Sequence, residues 1–189
     1  MSGIVQVGGV ALASHDSGTD KVSLDSGTVF PAGHVLNVVQ TVKTDTTTTS
    51  SLTFEDMTGM TVSITPGSTG SKILVFSSLN VSTVTNDFWV HVQMMRDATP
   101  IFIGDTASNR IRTTATSRQS NAVGNITNLG SVFLDSPTIP STPIAIVYKI
   151  QWRAEHASHA GVLNQSGTDT DNNTYPRTAS SITVMEIAG

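Results

Sequence analysis

The sequence predicts an all-β protein: an antiparallel two-sheet β-sandwich, jelly-roll-like, preceded by an irregular N-terminal arm. Three observations predict it. Thr, Ser, Val and Ile are abundant, and 15 Gly and 7 Pro punctuate the chain; branched side chains suit a pleated surface, while Gly and Pro suit turns. Several stretches alternate apolar and polar residues with the period of two that marks a half-buried strand. The links between them are short and turn-like, at Thr58-Gly59, Pro66-Gly67-Ser68-Thr69-Gly70, Thr85-Asn86-Asp87 and Asp97-Ala98-Thr99-Pro100. Parallel crossovers need about a dozen or more residues, commonly helical, and no stretch reads as a helix.

Taken in order, residues 1–33 read as an arm, because Gly3, Gly8, Gly9, Gly18, Gly27 and Gly33 interrupt apolar pieces too short to form a core. Ile4, Val5, Val7, Val10 and Leu12 favour a segment that docks on a neighbouring subunit or shell, since a free tail gains nothing by keeping them. The alternative is a short edge strand followed by a flexible tail. Residues 34–189 form the sandwich domain, with candidate strands at 35–42, 52–57, 60–64, 72–84, 88–96, 101–104, 122–126, 131–134, 144–153 and 182–187.

The clearest strand is 144–153, where Ile144, Ile146, Tyr148, Ile150 and Trp152 fall on one face and Lys149, Gln151 and Arg153 on the other. Trp152 shares the parity of four apolar neighbours and is assigned to the core. In 88–96 the same alternation points Phe88, Val90, Val92 and Met94 inward and Trp89, His91, Gln93 and Met95 outward. That outward face is only half polar, so Trp89, His91 and Met95 are expected at a subunit interface. The two longest irregular regions, 106–119 and 161–179, are expected as loops on one rim, where recognition usually sits. Arg110, Arg112 and Arg118 in the first, and Asp169, Asp171, Tyr175 and Arg177 in the second, are the candidate contacts to a partner or receptor. The alternative for the arginines is ordinary solvated charge.

Composition narrows the function. At 189 residues, 38% hydrophobic and 13% charged, the chain fits one globular domain. The absence of Cys removes disulfides, thiolate metal sites and cysteine nucleophiles together. A net charge of -4 with scattered Lys and Arg argues against a nucleic-acid-binding surface. No apolar run reaches membrane-spanning length, and the start of the chain lacks the pattern of a secretory signal, so no membrane partner or crossing is expected.

Candidate chemistry is thin. His156-Ala157-Ser158-His159 is the only close histidine pair, and in a strand the two would face opposite ways, so shared metal coordination needs a turn. Asp169-Thr170-Asp171-Asn172-Asn173 begins like a calcium loop but has Thr174 and Ser180 where an EF-hand needs Gly and an acid; an irregular calcium site in a β-loop stays open beside a solvated turn. There is no Gly-x-Ser-x-Gly elbow and no phosphate-cradling loop. Glu55, Asp56, Glu155 and Glu186 are the carboxylates from which a glycosidase pair would have to come. The expectation is a protein that is not an enzyme and carries no cofactor.

Four stretches resemble a known family. Phe30 to Gln40 (FPAGHVLNVVQ), Phe54 to Pro66 (FEDMTGMTVSITP), Ser71 to Val75 (SKILV) and Tyr175 to Ala188 (YPRTASSITVMEIA) look like the β-domain of virion proteins of tailed bacteriophages, especially aquatic ones. The resemblance covers residues 30–189. It implies a jelly-roll-like domain displayed on the particle surface, a homotrimer, and contact with the major capsid protein or other virion proteins. Two roles follow: a capsid decoration or cement protein docked through the arm, or a tail-fibre or receptor-binding tip that recognises host surface polysaccharide. A glycan-degrading enzyme is the third class.

Overall fold

The computed structural model describes residues 4–7, 10–19, 21–24, 30–119 and 124–189, with 5–7, 10–12 and 22–24 as backbone only. The chain divides into two compact units, Met1–His34 and Val35–Gly189. In the first, β1 (Ile4–Val7), β2 (Val10–Asp16) and β3 (Lys21–Leu24) form an antiparallel sheet in sequence order. Where the sequence suggests a glycine-broken arm, the described residues thus hold a small meander. The reversal after β2 is local chemistry: the Asp16 carboxylate accepts from the Gly18 N–H and the Thr19 hydroxyl, both at 2.9 Å, as turn-forming Asp residues do. Those bonds hold its pKa below the usual carboxylate value.

Among the described residues the second unit holds eleven strands: β4 (Val35–Lys43), β5 (Thr47–Thr49), β6 (Glu55–Ile64), β7 (Lys72–Thr83), β8 (Trp89–Arg96), β9 (Thr99–Ile101), β10 (Ala115–Arg118), β11 (Thr127–Asp135), β12 (Ile146–Ala154), β13 (Gly161–Leu163) and β14 (Ser180–Ile187). One sheet runs β4-β14-β7-β11, with β5 and β13 prolonging the β4 and β14 rows beside the far end of β7. The other runs β6-β12-β8-β10, with β9 also on β8. Every pairing is antiparallel. The chain crosses from sheet to sheet at β4-β6-β7-β8 and again at β10-β11-β12-β14, the winding of a jelly roll.

Alternation sets the core. The inward residues of the first sheet include Ile73, Val75, Leu79, Val81, Ile182 and Val184. They meet Met60, Val62, Ile64, Val90, Val92, Met94, Tyr148, Ile150 and Trp152 of the second. Trp152 is 1% exposed, as its parity predicts. One charged cluster lies within the sandwich. Arg96 Nη1 donates to both oxygens of Asp135 at 2.7 and 2.9 Å, and the Tyr148 hydroxyl donates to the same carboxylate at 2.7 Å.

The structure departs from the sequence reading at several places. Thr58-Gly59 is not a turn between two strands but part of β6. Between the Lys149↔Thr61 and Gln151↔Asp56 pairs, β6 carries three more residues than β12, a bulge taken up at Gly59 with φ +82°. Ile144 lies outside β12 and is exposed, so the inward row starts at Ile146. The turn at Asp97 is tighter than expected, since Asp97 itself adopts φ +52° and lets Thr99–Ile101 pair back on β8 with Pro100 in an edge strand. The candidate strand 122–126 lies partly outside the described residues, and Asn125 and Ile126 are not strand. The short β5, β10 and β13 were not expected at all, being three or four residues long and in part made of Thr and Ser.

Candidate functional site

One end of the sandwich collects the loops. The β7–β8 link, the turn at residues 155–160, the β10–β11 link and the 164–179 loop are tied to one another: Val84 N donates to Ala160 O, Asp87 N to Gln119 O, and Gly167 N to Ser82 Oγ. The organiser is Asn164, fully buried and held at φ +62°, a backbone state that Asn tolerates better than most residues. Its side-chain N–H groups donate to the carbonyls of Lys43 (2.9 Å) and Asp45 (3.0 Å), and its Oδ1 accepts from Ser180 Oγ (2.6 Å). Its backbone bonds Asn80 and Thr178. Sequence reasoning passed over Asn164, and its position directly after the apolar pair Val162-Leu163 was the one signal available.

On this foundation the 164–179 loop makes a shallow cavity of about 370 Å³ lined by Asp169, Thr170, Asp171, Asn172, Tyr175 and Arg177. All four loop residues singled out in the sequence, Asp169, Asp171, Tyr175 and Arg177, therefore come together. Arg177 closes the neck of the loop, donating to Gln165 Oε1 (2.7 Å) and to Asp169 Oδ1 (2.5 Å). Asn172 Oδ1 accepts from the Thr174 N–H and hydroxyl and fixes the tip. Tyr175 lies over Gly124, where a Cβ would stand 3.2 Å from its ring. Neither the Asp171 carboxylate nor the Tyr175 hydroxyl is hydrogen-bonded among the described residues. Chemically this is an aromatic edge beside paired acceptors and a guanidinium, suited to a hydroxyl-rich ligand.

The arginines of 106–119 do not join it as a group. Arg118 is in β10, opposite Trp89, and pairs with Asp87 at 3.2 Å. Arg112 donates from Nε to the Gly104 carbonyl at 2.6 Å within the β9–β10 link, and Arg110 is exposed in the same link. Arg118 is thus held beside Asp87 and Trp89, and Arg112 at the Gly104 carbonyl, so the two are tied to different partners.

The expected interface residues also divide. Trp89 is 36% exposed and lies parallel to the half-buried His91, ring centroids 6.3 Å apart. Met95 is 5% exposed, between its cross-strand neighbours Lys149 and Pro100, and offers nothing to a partner. Parity alone placed it outward; the hairpin to β9 covers it. The rest of that face is polar: Gln93 Nε2 donates to Gln151, and Gln151 and Lys149 both donate to Asp56 at 2.7 Å, which holds Asp56 below its usual pKa. Burial pushes the His91 pKa down, helped by nearby Arg153 and opposed by Glu155. In the N-terminal unit Ile4 is exposed, while the side chains of Val5, Val7, Val10 and Leu12 lie outside the described residues.

The histidine pair does meet, because residues 156–159 form a turn. The rings are 5.0 Å apart, but His159 stacks on Phe88 and sits 3.0 Å from Thr85 Oγ1, while His156 Nδ1 accepts from Ser158 N. Among the described residues no three His, Cys, Asp or Glu side chains gather as a metal site. The four carboxylates considered for acid–base work are tied to separate partners: Glu55 to Thr49, Asp56 to Lys149, Glu155 to the Trp89 N–H, and buried Glu186 to Ser71 and the Gly67 N–H.

The class that the fold defines is the jelly-roll β-sandwich. No protein-family model matches the chain, and no curated protein matches it.

Proposed function

We propose that this chain is a structural protein displayed on the surface of a tailed-bacteriophage virion, docked through its N-terminal unit as a capsid decoration or cement protein. The observation that carries the reading is the N-terminal unit itself. Its strands of 4, 7 and 4 residues are too few and too short to bury a core of their own, and small sheets of this kind gain stability by packing on another surface. The resemblance at residues 30–40, 54–66, 71–75 and 175–188 and the jelly-roll winding support the same assignment. A second reading, a tail-fibre or receptor-binding tip, is favoured by the rim cavity at Asp169, Asp171, Tyr175 and Arg177, whose chemistry suits a glycan.

The test mixes full-length protein, and a version starting at Val35, with undecorated capsids and separately with host cells. Capsid retention lost with residues 1–34 supports decoration. Retention on cells that persists without them, and is abolished by Tyr175→Ala with Asp171→Asn, replaces decoration with the receptor tip. Retention on neither particle rejects both.

A further inference from the structure

Among the described residues one apolar face lies away from the Trp89 strand. It lies on the outer face of the opposite sheet. The register there lines up Leu134 of β11, Leu74 of β7, Met185 of β14 and Val38 of β4 as a row crossing all four strands. The next row sets Val132 beside Phe76 before turning polar at Thr183 and Gln40, whose side chains bond each other at 2.7 Å. Val42 and Val35 extend the patch along β4. Val132 is 57% exposed, Val42 55% and Val38 53%, so these are open side chains rather than core residues seen edge-on. Of the outward positions on these four fully described strands, only Lys72 at one corner is charged.

We propose that this face is the contact between two copies of the chain, packed sheet on sheet about a two-fold axis. Three features select a second copy as the occupant. A two-fold contact sets a surface against itself, which places any charge near the axis opposite its like; a face without central charge meets that condition, whereas a distinct partner would be expected to find complementary charge. The row Leu134-Leu74-Met185-Val38 runs across the strands, so two copies crossing at the small angle of aligned sheets lay row along row. The area is also sufficient. Four strands about 4.8 Å apart and nine residues long present roughly 600 Å² of sheet per copy, so a pair covers about 1,200 Å², the lower end of stable interfaces. The face turns the expected trimer through Trp89 into a two-fold pair through Val38 and Leu134.

Full-length protein is run by light scattering at micromolar concentration beside V38K/L134K and V132S/V42S, with circular dichroism and melting to confirm folding, and beside W89K. The expected result is a dimer for the parent and for W89K, with association weakened at least tenfold, towards monomer, in both face variants. These substitutions are at exposed positions, and the serine pair preserves folding if the lysine pair does not. A monomeric or trimeric parent, a face variant that stays dimeric, or a dimer lost only in W89K overturns the proposal. So does a parent that is monomeric in solution but loses capsid retention in V38K/L134K, since the occupant is then another protein.

Discussion

The hydroxyl of Tyr148 donates a 2.7 Å hydrogen bond to the Asp135 carboxylate, joining β12 of one sheet to β11 of the other inside the sandwich. The same carboxylate takes both its oxygens to Arg96 of β8. Burial first, and the bond to Asp135 second, push the Tyr148 pKa well above that of a free phenol. Tyr148→Phe removes one donor but leaves the ion pair and is expected to cost about 1 kcal/mol. Asp135→Ala strands a guanidinium and a phenol together and is expected to cost about 3 kcal/mol or more in urea unfolding. Because the folded state keeps the phenol neutral, its contribution is complete below pH 10 and declines above it, as the unfolded phenol ionises. In a Tyr175→Phe background, tyrosinate absorbance should therefore rise with unfolding and not before.

Asn164 is the keystone of the loop end. Asn164→Ala leaves the carbonyls of Lys43 and Asp45 and the Ser180 hydroxyl without their partner and sets Ala at a positive φ. The expected loss is about 3 kcal/mol, accompanied by faster proteolytic cleavage within 165–177. A melting temperature within a degree of the parent would show that these bonds are replaceable.

Two glycines are required for different reasons. At Gly59 the backbone has φ +82° and a Cβ would stand 3.1 Å from Lys43 Cδ, so Gly59→Ala should cost about 1–2 kcal/mol through backbone conformation. At Gly161 the two sheets approach so closely that a Cβ would lie 2.8 Å from Val90 Cγ2. Gly161→Val is overpacking, expected at about 1–3 kcal/mol, and the companion change Val90→Ala should recover part of the Gly161→Val loss but not of the Gly59→Ala loss. Chemical denaturation of the four variants reads this directly.

His91 supplies an acid-side signature. Its folded pKa lies below the ordinary value of 6.5, so the unfolded chain binds the proton more readily. Its stabilising share is full above about pH 6.5 and is lost as the pH falls through the lower folded value. The melting temperature of the parent should drop more between pH 7 and pH 5 than that of His91→Gln. Equal slopes would remove His91 from the account.

Much of the architecture was legible in the chain. Tyr148, Ile150 and Trp152 in strict alternation identified β12 and its buried face, and the alternation of Val90, Val92 and Met94 did the same for β8. Where the reading missed, the information was not local. The bulge at Gly59 looks like a turn because Thr-Gly is turn chemistry, and only pairing with Lys149 and Gln151 makes β6 continuous. Of the site, Asp169, Asp171, Tyr175 and Arg177 were found from their loop, whereas Asn164 was missed because its partners are more than a hundred residues away at Lys43 and Asp45.

The sequence by itself determined an all-β sandwich and which parity of most strands is buried, because alternation is a local property that every strand carries. The tertiary structure alone decided what becomes of the other parity. Met95 and Val38 are both apolar outward residues. The β9 hairpin covers Met95, while Val38 stays 53% exposed among the described residues. Which outward residues stay open depends on neighbours brought together by strand order and register, and those are set by contacts far apart in sequence.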